Sequence, residues 1–397
     1  MTAAPLALRM AQIEAFQVMD VQQRAQTLEA QGRSIVHMEI GQPDFGAPPA
    51  VLQAAIKAIT HEPMSYAPAL GLPALRHAIA DFYKRRYGVF VEPDRVIITA
   101  GASGAFLLAL AALVEPDSAI VMPDPCYPCN RNFVRLFGGE AQCIPVDERQ
   151  GYQLRAADVE KHWKANTRGV LVANPSNPTG TSIPPQELED LVTSVHARGG
   201  FVLVDEIYHG LNYGNQAQRT ALEISDRIFL VNSFSKYFGM TGWRLGWLIA
   251  PKHAVRDIER LAQNAFICVS VPAQYAALAA FGPETLELLE ARRNEFAARR
   301  AFLLAELRQL GFRIPIDPDG AFYIYANCEA FTSDSRVFAM QLLEEAGVAV
   351  TPGADFGVAE AARYIRIAYT RPIAELEDGV ARIRAFLKSK KAPECLF

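Results

Sequence analysis

The sequence contains little of what marks secreted, membrane-spanning or nucleic-acid-binding proteins. Its 397 residues include only six cysteines, and the formal net charge of -4 gives no basis for binding nucleic acid or an anionic membrane. No run approaches the roughly 18 consecutive apolar residues of a membrane-spanning helix. The segment from Met1 to Met10 lacks the apolar core of a secretory signal. We therefore expect a cytoplasmic protein with no membrane and no nucleic-acid partner.

The cysteines and histidines also lack the spacing of a metal site. Cys126 and Cys129 form a C-x-x-C pair, but no second pair and no close pair of histidines offers the further ligands that zinc needs. A thioredoxin-like pair begins a helix, whereas prolines surround this pair, so we expect a loop here. These cysteines, and the others as far as Cys395, are interpreted as incidental reduced thiols.

Short apolar runs, by contrast, are abundant. Apolar residues make up 50% of the chain and charged residues 21%, which is typical of a globular protein with a large core. The runs alternate with helix-length segments such as 105–114 and 185–197, which predicts a mostly parallel sheet with helices on both faces. The predicted strands are 96–99, 119–122, 141–146, 169–173, 201–204, 228–231 and 245–249.

The two ends of the chain have a different pattern. They combine a long charged helical stretch with short alternating strands, and they predict an α+β unit. Their predicted elements are helices at 10–31, 284–310 and 373–387 and extended segments at 35–40, 322–325 and 364–368. We therefore expect an α/β fold in which a large domain, residues 46–285, carries a seven-stranded sheet sandwiched by helices. A smaller α+β domain would combine residues 1–45 with residues 286–397.

One lysine stands among small hydroxyl residues directly after a predicted strand. Ser233, Ser235 and Lys236 follow strand 228–231, and Arg244 comes eight positions after the lysine. A lysine at the mouth of a buried strand costs free energy unless it is paired or used. Such a desolvated lysine loses its proton easily and can form a Schiff base with an aldehyde. The serines and the arginine suit the phosphate of that aldehyde, which together suggests pyridoxal phosphate, PLP.

Asp205 and Tyr208 follow the neighbouring predicted strand, 201–204. An aspartate at this place is often a helix cap. A buried carboxylate is, alternatively, the partner that the pyridine nitrogen of PLP needs, because it keeps that nitrogen protonated and the ring electron-withdrawing. Tyr208 would then donate a hydrogen bond to the ring hydroxyl oxygen.

Three further segments have both a structural and a functional interpretation. Segment 174–180, N-P-S-N-P-T-G, is a constrained turn that can serve as a loop or can hold the Asn177 amide against a ligand oxygen. The small residues 101–105 open a helix, and their N–H groups suit a phosphate better than a dinucleotide, since the spacing is not G-x-G-x-x-G. Arg366, in an alternating strand, is either a surface residue or a fork for a substrate carboxylate.

In this order the motifs resemble those of the class I/II aminotransferases, PLP enzymes of fold type I that include aspartate aminotransferase. The resemblance covers nearly the whole chain. The matching motifs are G-x-P-D-F from Gly41, Y-x-P-x-x-G from Tyr66, N-P-x-N-P-T-G from Asn174, D-E-I-Y from Asp205, S-x-S-K from Ser233 and the arginine of the late strand, Arg366. The resemblance implies a transaminase that follows ping-pong kinetics, and a homodimer with shared active sites.

The resemblance also implies a role for each matched residue. The catalytic residues would be Lys236, which forms the Schiff base and moves the proton, Asp205 and Tyr208. Cofactor contacts, mostly to the phosphate, would come from Ser103, Gly104, Ala105, Asn177, Ser233, Ser235 and Arg244, from Tyr127 stacked on the ring, and from Tyr66 of the neighbouring subunit. The substrate would meet Arg366, Asn177, the Gly41 backbone and Phe322, which lines the side-chain pocket.

Relatives with other reactions leave alternatives open. C-S lyases and aminocyclopropane carboxylate synthases share the scaffold, and fold does not determine reaction. Effector domains of some transcription regulators share it too, but they need an added DNA-binding domain, which the short segment before residue 40, not notably basic, does not suggest.

The amino donor is expected to be a neutral aliphatic or aromatic amino acid. Segment 264–271, which carries a basic residue in some dicarboxylate-specific relatives, contains no cation, and Ser103 stands where others have a lysine. An uncharged pocket cannot offset the desolvation of a second carboxylate. A dicarboxylate such as aspartate remains the alternative, because Arg9, Arg24 or Arg131 would supply the missing cation by swinging in.

Overall fold

A computed structural model describes residues 6–214 and 218–391; Met1 to Pro5 and Cys395, which were considered above, lie outside this range. The α-helices are α1 (Gln17–Ala30), α2 (Pro49–His61), α3 (Pro73–Tyr87), α4 (Gly101–Leu113), α5 (Pro128–Leu136), α6 (Ala156–His162), α7 (Pro185–Ala197), α8 (Val255–Ala265), α9 (Val271–Leu278), α10 (Pro283–Leu310), α11 (Ser335–Gln341) and α12 (Ile373–Lys391). The strands are β1 (Val36–His37), β2 (Val96–Thr99), β3 (Ala119–Asp124), β4 (Glu140–Pro145), β5 (Thr167–Ala173), β6 (Phe201–Asp205), β7 (Phe229–Ser233), β8 (Gly246–Ile249), β9 (Tyr323–Asn327), β10 (Val348–Ala349), β11 (Thr351–Pro352) and β12 (Tyr364–Ala368).

The central sheet has seven strands in the order β2-β8-β7-β6-β5-β3-β4. Strand β8 runs antiparallel to both of its neighbours, and the other pairs are parallel. The predicted mostly parallel seven-stranded sheet is therefore confirmed, and each predicted strand ends within two residues of the observed one.

The strands are apolar throughout because helices cover both faces of the sheet. In β6, Val202 and Val204 point into one buried cluster, and Leu203 points into the other. Leu188 of α7 belongs to the first cluster, and Phe106 of α4 belongs to the second. A strand buried on both faces cannot alternate apolar with polar residues, which explains the continuous apolar runs in the sequence.

The terminal segments form two smaller sheets. Strands β11, β12 and β9 are antiparallel, with Arg366 opposite Tyr325 and Ala368 opposite Tyr323. Strand β1 pairs in parallel with β10, so the N-terminal segment joins the C-terminal part of the chain. The strand predicted at 364–368 is confirmed, and its predicted partner begins one residue late, at Tyr323. The domain boundaries at residues 46 and 285 stay a prediction.

Three local predictions are wrong. The N-terminal helix predicted over 10–31 is interrupted, since a short 3₁₀ turn at Leu8–Gln12 precedes α1. The helix predicted over 105–114 already begins at Gly101. The C-x-x-C pair is not wholly a loop, because α5 begins at Pro128 and takes Cys129 into its first turn; proline favours this first position, where no N–H is needed.

The described cysteines are all free thiols. Across residues 6–214 and 218–391, no helix has the length and apolar character needed to cross a membrane. Within the same residues, His, Cys, Asp and Glu side chains do not gather in groups of three or more that would suit a metal ion.

Candidate active site

A cavity of about 220 Å³ lies where β5, β6 and β7 end. Ligands of open α/β sheets bind outside the carboxyl ends of the strands, so this is the expected place for a site. Of the residues predicted from the sequence, the cavity is lined by Gly41, Ser103, Tyr127, Asn177, Asp205, Tyr208, Ser235, Lys236, Arg244 and Arg366. A larger cavity of about 660 Å³, beside Arg293 and Asp319, is lined by none of them.

The amine of Lys236 reaches into this cavity from the loop after β7. It donates a hydrogen bond of 2.7 Å to the carbonyl oxygen of Gly41, and it lies 5.8 Å from the centre of the Phe322 ring. Burial, together with the cations Arg366 and Arg244, lowers the pKa of Lys236 to about 8, although Asp205 opposes the shift. A substantial fraction of the amine is therefore neutral near physiological pH, as a nucleophile or a general base must be.

Asp205 ends β6 and is buried beside the cavity. Its Oδ1 accepts the backbone N–H of Ile207 at 3.0 Å, and no lysine or arginine of the described chain forms an ion pair with this carboxylate. Burial raises the pKa of Asp205 to about 7. A buried carboxylate without a cation is costly to maintain, and a positively charged ring nitrogen in the cavity would relieve that cost.

The opposite end of the cavity is suited to an anion. Ser235 and Arg244 both line it, and the Arg244 guanidinium donates to the carbonyl of Thr241 at 3.2 Å. A Cβ on Gly101 would lie 2.7 Å from Nη2 of Arg244, so glycine at this position leaves room for the guanidinium at the start of α4. Hydroxyl, guanidinium and helix N-terminus form a phosphate-type environment.

Ser233 lies behind this anion-binding end of the cavity. Its hydroxyl is 2.9 Å from the Ser235 hydroxyl, 3.0 Å from the carbonyl oxygen of Leu245, and accepts the backbone N–H of Ser235 at 3.0 Å. Ser233 is fully buried and does not line the cavity. Ser233 therefore holds Ser235 in place, and its predicted direct contact with a phosphate stays a prediction.

The early start of α4 bears on the predicted anion ligands Gly104 and Ala105, whose contact with a phosphate stays a prediction. The N–H groups that lack a partner within a helix belong to its first turn, which here begins at Gly101. The N–H of Gly104 already donates to the carbonyl of Ala100, at 3.4 Å, and Ala105 is fully buried away from the cavity. The N–H groups available to an anion are consequently those up to Ser103.

Arg366, from β12, is buried without an acidic partner. Its guanidinium donates to Oδ1 of Asn177 at 2.9 Å and to the carbonyl oxygen of Glu39 at 2.5 Å, and it lies 4.2 Å from the Tyr323 ring centre. In the described chain its Nε has no hydrogen-bond partner and no carboxylate forms an ion pair with it. An unpaired buried guanidinium is a strong site for a ligand carboxylate.

Tyr323 is a cavity residue that the sequence did not reveal. Its hydroxyl lies 2.9 Å from that of Tyr208, and a Cβ on Gly41 would overlap it. Strand alternation is the pattern that could have identified it. Arg366 lies opposite Tyr325 in the antiparallel β9–β12 pair, and Tyr323, two residues before Tyr325, lies on the same face. The predicted pocket residue, Phe322, points the other way, is fully buried and packs edge-on against Tyr208.

Apolar residues of the N-terminal segment close the remaining side of the cavity. They are Phe16, Val18, Met19 and Ile40, and Phe16 meets the Tyr127 ring edge-on with ring centres 5.8 Å apart. None of these four was predicted, because nothing in the local sequence shows that this segment reaches the end of the sheet. Tyr66, in contrast, is 81% exposed and lies outside the cavity.

Comparison with known proteins shows the family of the chain. Residues 33–383 match the family model described as aminotransferase class I and II. A valine–pyruvate aminotransferase of Mycobacterium tuberculosis is 41% identical over 386 residues, which cover 97% of this chain and 99% of that protein. An aspartate aminotransferase of Streptomyces avermitilis is 34% identical over 405 residues, covering 98% of both chains.

The fold has equally similar counterparts among solved structures. An aminotransferase from Mycobacterium tuberculosis superposes with a TM-score of 0.94 at 41% identity, over 98% of this chain and all of that one (100%). The aspartate aminotransferase of Thermus thermophilus with maleate gives 0.91 at 28% identity, over 96% of this chain and 100% of that one. The chain is a transaminase and belongs to the class I and II aminotransferases.

Proposed function

We propose that this protein uses PLP to move the amino group of a neutral L-amino acid, aliphatic or aromatic, to a 2-oxo acid by a ping-pong mechanism. The observation that carries the proposal is one cavity that combines a buried amine of lowered pKa, a buried carboxylate without a cation and a buried arginine without a carboxylate. Lys236, Asp205 and Arg366 are these three groups.

The cavity residues fit PLP in charge and in order. Asp205 would face the ring nitrogen, Tyr208 and Asn177 the ring hydroxyl oxygen, and Tyr127 the ring face. The phosphate would be held by the N–H groups in the first turn of α4, by Ser103, and by the side chains of Ser235 and Arg244. When bound, PLP supplies an electron-withdrawing ring that delocalises the negative charge developing at the substrate α-carbon.

The residues of the chain would bind and orient the substrate and transfer its proton. Arg366 and Asn177 bind the α-carboxylate and orient the amino acid, and their burial strengthens both contacts. The neutral amine of Lys236 would accept the proton of the α-carbon, and the resulting ammonium would act as the acid that gives it back, which is general acid–base catalysis by one residue. The hydroxyl of Tyr208 lies beside that of Tyr323 and would donate a hydrogen bond to the hydroxyl oxygen of a bound ring.

The wall of the cavity supports a neutral substrate. Phe16, Val18, Met19 and Ile40 offer no charge to a second carboxylate. Of the three arginines considered as mobile cations, Arg131 donates to the carbonyls of Asp355 and Phe356 and pairs with Glu14, and Arg24 pairs with Glu344. Arg9 does not line the cavity.

The relative named valine–pyruvate aminotransferase, from Mycobacterium tuberculosis, points the same way. Its name gives valine, a branched apolar amino acid, as amino donor and pyruvate, a 2-oxo acid with a small uncharged side chain, as acceptor. The relatives named aspartate aminotransferase share less identity with this chain, 34% and 31% in two cases. An apolar donor therefore agrees both with the wall of the cavity and with this relative's name.

We propose further that the protein works as a homodimer in which Tyr66 contacts the phosphate in the other subunit. Tyr66 is highly exposed and lies outside its own cavity. Close to it in sequence, α2 exposes Leu52, Ile56 and Ile59, and Met64 follows. A cluster of exposed apolar residues of this size is typical of a surface that another protein covers.

The test is an absorbance titration of the PLP-loaded protein with single L-amino acids and no 2-oxo acid. We expect valine, leucine or phenylalanine to convert the yellow form to the pyridoxamine form at least about tenfold more efficiently than aspartate. A preference for aspartate would overturn the neutral-substrate proposal. Release of ammonia or thiol without conversion would identify a lyase instead.

A further inference from the structure

Residues 12–19, here called the N-terminal strap, form a wall of the cavity although they are distant in sequence from its other residues. Phe16, Val18 and Met19 line the cavity, and Phe16 meets the ring of Tyr127 edge-on. Two sets of contacts hold the strap, one from helix α5 and one from Asp355, which follows β11. The position of these three side chains is therefore set by those contacts.

The helix that begins in the strap has no cap of its own. Phe16 stands at the N-cap position of α1 and carries no side-chain acceptor. The carboxylate of Asp355 takes this place from 338 residues away: Oδ1 accepts the N–H of Gln17 at 2.9 Å, and Oδ2 accepts the N–H of Val18 at 3.2 Å. A negative charge at a helix N-terminus is favourable, and both oxygens are used.

Helix α5 holds the strap from the other side. Arg131 donates to the carbonyls of Asp355 and Phe356, at 3.1 and 2.9 Å, and pairs with Glu14 at 3.3 Å. The side-chain amide of Asn132 pairs with both backbone groups of Glu14, at 3.2 and 3.3 Å. Because Arg131 contacts Asp355 as well as Glu14, the two sets of contacts meet.

We infer that Asp355 is a positioning residue that sets the preference of the enzyme for large apolar amino acids. It does so by holding Phe16 and Val18 against the cavity, and this inference rests on the proposed function. Asp355 itself is 2% exposed and does not line the cavity. The charge of Asp355 also interacts with that of Arg366, which would affect all amino acids alike, whereas its effect on the choice between them passes through the backbone of Gln17 and Val18.

Val18 is 4% exposed and Phe16 is half-buried, whereas Met19 is 52% exposed, so the strap is packed mainly through Val18 and Phe16. Replacing Asp355 by asparagine removes the negative charge and leaves one of the two N–H groups of Gln17 and Val18 without an acceptor in a buried place, because an amide has only one oxygen. The strap then opens more often, and a large side chain loses more contact area than a small one does. The kcat/KM for leucine should fall and that for alanine should not, because the methyl group of alanine is too short to contact the wall of the cavity formed by the strap.

The experiment compares Asp355→Asn with Asp334→Asn in the PLP-loaded full-length protein. Asp334 also caps a helix, since it accepts the N–H of Arg336 at 2.8 Å at the start of α11, but it is exposed and away from the cavity. We expect Asp355→Asn to lower the ratio of kcat/KM for leucine to that for alanine about tenfold, mainly through KM. Asp334→Asn should leave the ratio unchanged.

A second readout does not depend on activity. Arg24 lies in α1, and trypsin can cut after it only when the helix opens. Mass spectrometry of the PLP-loaded protein without substrate should show cleavage after Arg24 at least about fivefold faster in Asp355→Asn than in wild type. If Asp355→Asn does not fold, Arg131→Lys keeps the charge but loses the fork, and should change both readouts in the same direction.

The inference is overturned if the leucine-to-alanine ratio stays within about twofold of wild type, or if both amino acids lose kcat/KM equally, as a purely structural residue would cause. A wild-type protein that converts no amino acid would overturn the proposed function, and the selectivity role with it. In that case the Arg24 cleavage still shows whether Asp355 holds the strap, so the two failures are distinguishable.

Discussion

At the scale of single residues, the chemistry of the site follows from burial. Lys236 is neutral more often than a lysine in water, because its amine is enclosed and faces Arg366 and Arg244. Asp205 is protonated more often than usual for the same reason. The buried environment disfavours the charged form of both side chains. A bound ring would suit both, because its positive nitrogen would stabilise the Asp205 carboxylate and its aldehyde would react with the neutral Lys236 amine.

This pKa shift predicts how PLP capture depends on pH. Only a neutral amine attacks an aldehyde, so the rate at which the cofactor-free protein takes up PLP should rise about tenfold per pH unit at low pH. It should level off above about 8, the lowered pKa of Lys236. Stopped-flow absorbance measures this rate, and Lys236→Ala is the control without a band. A rise that continues towards 10.5, the ordinary lysine value, would contradict the burial argument.

At the scale of elements, Gly101 at the start of α4 has two roles: it adopts a backbone conformation with positive φ, and it leaves room for the side chain of Arg244. Gly101 has φ +70°, which disfavours a side chain, and its missing Cβ leaves room for Arg244. Gly88, which ends α3, has φ +73° and nothing within 4 Å of a Cβ. Gly101 and Gly88 have the same backbone conformation, but only at Gly101 would an added Cβ meet neighbouring atoms, those of Arg244.

We therefore expect Gly101→Ala and Gly88→Ala to lose similar stability from backbone strain, about 1 kcal/mol each. Only Gly101→Ala should weaken PLP binding, by about tenfold or more, because the added methyl group displaces the guanidinium from the anion-binding end. Thermal unfolding measures the first effect and equilibrium titration of cofactor-free protein the second. Equal PLP affinity in the two variants would show that Arg244 does not hold the phosphate.

At the scale of the whole molecule, the shared-site dimer can be tested by complementation. In a hybrid of one Lys236→Ala and one Tyr66→Ala subunit, one site lacks both residues and the other has both. Neither homodimer has a complete site. A 1:1 mixture that exchanges subunits freely should regain about a quarter of wild-type activity, since half of the dimers are hybrids with one complete site of two.

The control for this mixture is Lys236→Ala combined with a Tyr66→Ala, Lys236→Ala double variant, which should regain nothing. Sedimentation velocity should show that the mixed species are dimers. A mixture no more active than its components, with exchange demonstrated by mass spectrometry of labelled subunits, would show that each subunit builds its site alone.

The sequence determined the central sheet, because strands buried on both faces must be apolar along their whole length, as Val202 to Val204 are. It also determined which side chains follow the strands, and so placed Asp205 and Lys236 at one edge. These are local properties. A short apolar run, a turn signal and a polar residue after the run can be recognised without knowing their neighbours in space.

Only the tertiary structure decided which residues complete the cavity. Tyr323, and not Phe322, faces it because the pairing of β9 with β12 sets which alternate side chains share a face with Arg366. The strap closes it because a carboxylate 338 residues away caps α1 at Gln17. Strand register and distant capping depend on contacts between segments far apart in the chain, and no pattern within either segment encodes them.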